Sequence, residues 1–138
     1  MLKVLIVDDS LIIRKKITKL LEKLGHEVAF GAKNGAEAIE AYKEHKPDLV
    51  TMDITMPDMD GITAVKHLIK ENSEAKIIMV TSHGQEDMVI KSIQAGAVGY
   101  MLKPITEDKL ISSIAEVFPE YASEQNDEQI DLLEDELF

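Results

Sequence analysis

Four short apolar runs, each ending in a polar group, leave this chain few ways to fold. Val4-Leu5-Ile6-Val7 ends in Asp8-Asp9, Leu49-Val50-Thr51-Met52 in Asp53, Ile77-Ile78-Met79-Val80 in Thr81, and Val98-Gly99-Tyr100-Met101-Leu102 in Lys103. Such runs, rich in β-branched residues and separated by helix-length segments, read as strands buried on both faces of a parallel sheet. Parallel strands would bring all four endings to one edge, where open α/β sheets place their ligand sites. Three carboxylates, a hydroxyl and an ammonium would then converge, a set suited to a divalent metal and a phosphoryl group.

The segments between the runs carry helix signals. Ser10 is a candidate cap for a helix whose apolar face is Leu11, Ile12, Ile17, Leu20, Leu21 and Leu24, with Arg14, Lys15, Lys16, Lys19 and Lys23 opposite and Gly25 at its end. Residues 27–32 read as a second strand, and Asn34-Gly35 as a turn before a helix through Ala36, Ala38, Ile39, Ala41 and Tyr42. Residues 57–61 form a loop in which Asp58 and Asp60 read as ordinary turn residues, followed by a helix over 62–70. A polar loop over 82–85, a helix over 86–95 ended by Gly96, and a last helix from Thr106 to about Phe118 complete a βα pattern repeated five times. That pattern predicts an α/β sandwich with helices on both faces of the sheet.

Size and charge narrow the function classes. A chain of 138 residues with 45% hydrophobic content suits one core, and the absence of cysteine excludes disulfides, zinc–thiolate sites and thiol catalysis. No apolar stretch is long enough for a membrane span, so a soluble cytoplasmic protein is expected. Residues 1–118 hold 15 basic and 18 acidic residues, a net −3, whereas residues 119–138 hold 8 acidic and no basic residues. The division predicted is a body over 1–118 and an acidic C-terminal tail over 119–138, flexible or partner-docking, with Ile130, Leu133 and Leu137 at helical spacing. Its charge would repel a phosphate backbone, which argues against nucleic-acid binding.

The motifs Val7-Asp8-Asp9-Ser10, Met52-Asp53-Ile54-Thr55-Met56-Pro57, Met59-Asp60-Gly61, Val80-Thr81-Ser82 and Leu102-Lys103-Pro104 carry a resemblance. Residues 1–118 resemble the receiver domain of two-component response regulators, and most closely the single-domain, CheY-like chemotaxis type. The resemblance implies a doubly wound (βα)5 flavodoxin-like fold, a parallel sheet in the order 2-1-3-4-5, and a cis Lys103–Pro104 bond. It implies Mg²⁺ held by Asp9, Asp53 and the Thr55 backbone carbonyl, with Asp8 acting through water. Asp53 would be the phosphoacceptor, with Thr81 and Lys103 contacting the phosphoryl oxygens. The protein would thus catalyse its own phosphorylation and a slow autodephosphorylation. Thr81 and Tyr100 match the switch positions, Thr55 and His83 the positions that tune phosphoryl lifetime. The implied partners are a histidine kinase, a target such as a flagellar motor switch component, and a phosphatase, with the protein acting as a monomer. Phosphorelay intermediate and phosphate sink are alternatives, as is a phosphorylation-independent scaffold.

The residues alone leave blander readings open. Asp8 and Thr81 suit caps, Lys103 a solvated charge, His83 a loop histidine, and Tyr100 a core aromatic. Met88, Val89, Ile90 and Ile93 are more apolar residues than one buried stripe requires, which suggests an output face. His26, His45 and His67 read as surface residues. A Mg²⁺-dependent hydrolase with an aspartyl nucleophile would want a carboxylate where Thr55 stands. A calcium loop aligned on Gly61 would put Met56 and His67 at ligand positions.

Overall fold

The computed structural model describes residues 1–122. In chain order these form β1 (Lys3–Val7), α1 (Leu11–Lys23), β2 (Glu27–Ala32), α2 (Gly35–His45), β3 (Leu49–Asp53), α3 (Gly61–Glu71), β4 (Ile77–Thr81), α4 (Glu86–Ala95), β5 (Gly99–Leu102) and α5 (Glu107–Val117), then a 3-10 turn over Pro119–Tyr121. The strands make one parallel sheet in the order β2-β1-β3-β4-β5. The acidic residues 123–138, including the amphipathic pattern at Ile130, Leu133 and Leu137, lie outside the described residues.

Period-2 alternation along the strands explains the two cores. Leu5, Val7, Val50, Met52, Ile77 and Met79 meet α2 and α3 residues such as Ala38, Val65 and Leu68 on one side. Val4, Ile6, Leu49, Ile78, Val80 and Met101 meet Ile17, Leu21, Leu110 and Ile114 of α1 and α5 on the other. Both faces of the central strands are therefore dry, and β3 and β4 are buried along their whole lengths. Side-chain caps fix where four helices begin: Ser10, Asn34, Asp60 and Thr106 accept from the backbone N–H groups of Ile13, Glu37, Thr63 and Lys109. Each such cap contributes about 1 kcal/mol.

Two expectations change. Leu11 and Ile12 do not join the apolar face of α1; they are 55% and 78% exposed. The packed stripe is Ile13, Ile17, Leu20, Leu21 and Leu24, and at 3.6 residues per turn Leu11 and Ile12 lie more than about 120° around the helix from its centre, towards solvent. His26 is buried rather than on the surface. Its Nδ1 accepts the Leu2 N–H at 3.0 Å, and its ring meets Tyr121 edge-on at 5.2 Å. Burial, then the nearby N-terminal ammonium, lower its pKa. The half-buried His45 stacks on Phe30, and His67 is exposed.

Candidate metal centre at the carboxyl edge of the sheet

Parallel pairing puts the ends of β1, β3, β4 and β5 in one row. Val7 lies beside Met52, Asp53 beside Val80, and Thr81 beside Leu102. Asp8, Asp53 and Thr81 are buried there, Asp9 is exposed, and Lys103 is half-buried. Asp8 is held in place through its backbone: its N–H donates to the Ala32 carbonyl at 3.0 Å, and Arg14 donates to its carbonyl at 2.7 Å. Its Oδ1 accepts the Ser10 N–H at 2.9 Å.

Ligand atoms of Asp8, Asp9 and Asp53 lie within 4.8 Å of one another. Lys103 Nζ stands 3.4 Å from Asp8 Oδ2 and 3.6 Å from Asp53 Oδ1. One ammonium thus faces three carboxylates, and the balance of charge is negative. The consequence appears at Asp53, whose pKa rises from 3.8 to about 6. Burial is the largest cause, followed by the Asp8 charge; Lys103 opposes the rise, Asp9 adds to it, and a hydrogen bond from the Thr55 backbone opposes it. Asp8 Oδ2 is buried without a hydrogen-bond partner. Crowded carboxylates, two of them buried and one with an oxygen that faces Lys103 but accepts no hydrogen bond, are what a hard divalent cation stabilises. The residues present fit such an ion.

Two backbone features hold this arrangement. A Cβ on Gly61 would overlap the Asp53 carbonyl oxygen, so only glycine lets the start of α3 lie against the end of β3. The Gly61 N–H donates to the Ile54 carbonyl at 2.8 Å. On the other side, the Lys103–Pro104 bond is cis. Lys109 Nζ donates to the carbonyls of Leu102 and Pro104, at 2.8 and 3.0 Å, and so grips the loop on both sides of Lys103. Asp60 caps α3, and Asp58 takes a positive φ of 69°. Both therefore act as turn residues.

Thr81 is not free. Its hydroxyl donates to Gln85 Oε1 at 2.9 Å, with Ser82 O a longer contact at 3.3 Å. Gln85 Oε1 also accepts the Ser82 N–H at 2.7 Å, and Gln85 Nε2 donates to Thr55 Oγ1 at 2.7 Å. The sequence pattern did not single out Gln85. Nothing in its spacing marks it, because the reach depends on how the β4–α4 loop turns at Gly84, whose φ is +88°. His83 is exposed in the same loop.

Tyr100 is 57% exposed on β5 rather than part of the core. The apolar residues of α4 divide: Met88 and Val89 pack against the core, while Ile90 and Ile93 are 57% and 45% exposed.

Residues 4–115 match the response regulator receiver domain family. The chain belongs to that family. This receiver is 52% identical to the chemotaxis protein CheY of Bacillus subtilis over 112 residues, 81% of this chain and 93% of the relative. It is 47% identical to CheY of Thermotoga maritima, over 83% of this chain and 96% of the relative. Among solved structures, a chain of the CheX–CheY–BeF3–Mg²⁺ complex from Borrelia burgdorferi matches with a TM-score of 0.80 and 36% identity, over 84% of this receiver and 88% of that chain. Among the described residues, no helix is long and apolar enough to cross a membrane.

Proposed function

We propose that this receiver is a phosphorylation-activated response regulator that takes a phosphoryl group on Asp53 from a histidine kinase and then binds a target protein. The observation that carries the reading is Asp53 itself, buried between Asp8 and Lys103 at the sheet edge. An Asp53 carboxylate oxygen attacks phosphorus in line, the bond from phosphorus to the donor's imidazole nitrogen breaks, and an acyl phosphate forms. The Lys103 ammonium pairs with the charge on the transferred oxygens, and the Thr81 hydroxyl donates to one of them. Hydrolysis reverses the modification when water attacks the same phosphorus and the carboxylate leaves.

Asp9, Asp53 and the Thr55 carbonyl would hold Mg²⁺, with Asp8 acting through water. When bound, the ion supplies neutralising charge to the phosphoryl oxygens. Thr55 and His83, two residues beyond Asp53 and Thr81, would tune the lifetime of the acyl phosphate, alone or with a phosphatase.

The identity to chemotaxis proteins supports a cytoplasmic role in chemotaxis, with a flagellar motor switch component as target. The exposed Ile90, Ile93 and Tyr100 supply an apolar output face on α4 and β5. The test is incubation with Mg²⁺ and acetyl phosphate followed by intact mass. One added phosphoryl group on the unsubstituted protein, absent from Asp53→Ala, is expected. An unmodified wild type would instead favour a phosphorylation-independent scaffold.

A further inference from the structure

We infer that Gln85 is a positioning residue that withholds the Thr81 hydroxyl from the phosphoryl site until Asp53 is modified, and that its release carries the change to α4. This rests on the reading of Asp53 as phosphoacceptor. Thr81 has one hydroxyl proton, and it is directed at Gln85 Oε1 at 2.9 Å. The orientation of the amide is fixed by its neighbours, because the Ser82 N–H can only donate, and the atom facing it at 2.7 Å must be the oxygen. The NH₂ end is then committed to Thr55 Oγ1, two residues beyond Asp53.

One side chain therefore ties together the hydroxyl at the end of β4, the first backbone N–H of the following loop, and the loop after β3. For Thr81 to donate to a phosphoryl oxygen on Asp53, the bond to Gln85 must break first. Gln85 is also the residue immediately before α4, and its side chain makes no capping bond to that helix. Losing Thr81 unties the loop at the root of α4, the helix that carries the exposed Ile90 and Ile93 further along. An event at Asp53 is thus passed to a surface helix by exchange of a single hydrogen-bond partner.

The test is a double-substitution cycle read with beryllofluoride and Mg²⁺ as a phosphoryl mimic, titrated by ¹H–¹⁵N NMR. Gln85→Ala and Gln85→Met both remove the amide, and Met keeps the bulk should Ala loosen the loop. Either is expected to tighten beryllofluoride binding about 2- to 10-fold, the range of one net hydrogen bond, and to shift α4 amide resonances before any mimic is added. In the Thr81→Val background, where no hydroxyl awaits release, the same substitution should leave the affinity unchanged. Weaker binding, no change, or an equal gain in both backgrounds overturns the inference. Exchange of the Ser82 amide in metal-free protein separates the two possible failures. Faster exchange in Gln85→Met, together with a wild type that binds no beryllofluoride, refutes the acceptor reading and the latch's role with it. Beryllofluoride bound by wild type with no coupling in the cycle refutes the latch alone.

Discussion

Replacing Asp53 by Asn is expected to stabilise the metal-free protein, although it removes the proposed acceptor. The carboxyl of Asp53 is buried, and its pKa is pushed from 3.8 to about 6, first by burial and then by Asp8. That gap corresponds to roughly 3 kcal/mol against the charged form. It is an upper bound, because water at the open side of the site screens part of the repulsion; about 1–3 kcal/mol is the expected range. Below pH 3.8 the group is protonated in the folded and the unfolded chain alike, so the penalty is absent. Between 3.8 and about 6 only the unfolded chain ionises, so stability falls as the pH rises, and above about 6 the loss is complete.

Asp53→Asn escapes this loss. Urea unfolding followed by circular dichroism with a chelator present should show the variant ahead at about pH 7.5, with the lead shrinking towards about pH 4. His26, whose shift comes from burial and the N-terminal ammonium and not from Asp53, acts on both proteins and cancels in the difference. Mg²⁺ should shrink or reverse that lead, since an ion at about 100 times its dissociation constant adds about 2.7 kcal/mol to the protein that binds it. A variant no more stable than wild type in chelator at neutral pH, or one whose advantage is the same at both pH values, would refute the account of a site strained by its own charge.

Three further outcomes follow from the packing. Gly61→Ala should cost about 1–3 kcal/mol in urea unfolding and slow acetyl-phosphate labelling, because its methyl would displace the Asp53 carbonyl; Gly99→Ala, where a Cβ meets nothing within 4 Å, is the control and should label normally. His26 should titrate below its ordinary 6.5 in an imidazole NMR titration, and its protonation should remove stability as the pH falls through that lowered value; a midpoint at or above 6.5 contradicts the burial argument. Ile90→Glu with Ile93→Glu should change stability by no more than about 0.5 kcal/mol, yet abolish capture of the target by beryllofluoride-treated protein. Undiminished capture would move the output face elsewhere.

The strands were legible because both faces of a central parallel strand are dry, which makes an uninterrupted apolar run with a sharp polar end. Asp8, Asp53, Thr81 and Lys103 could be found for the same reason: each is where such a run stops. Leu11 and Ile12 are apolar yet fall on the far side of α1 at 3.6 residues per turn, so a list of its apolar residues overstates the face that packs. His26 was missed because its burial depends on the backbone N–H of Leu2, 24 residues away, needing an acceptor. Gln85 reads from the sequence only as a loop residue, and its partners are not legible, because a flexible side chain spanning two loops leaves no periodic trace. Pattern locates what the core demands, whereas partners across loops emerge only when the chain is folded.

The grip of Lys109 on the carbonyls either side of Lys103 has a mechanical corollary. The ammonium that faces the carboxylates is suspended from the first turns of α5, so a protein clasping that helix also handles the charge at the far end of the suspension. By thermodynamic reciprocity, if phosphorylation strengthens docking on this flank by some factor, docking must shift the phosphorylation equilibrium towards the acyl phosphate by the same factor.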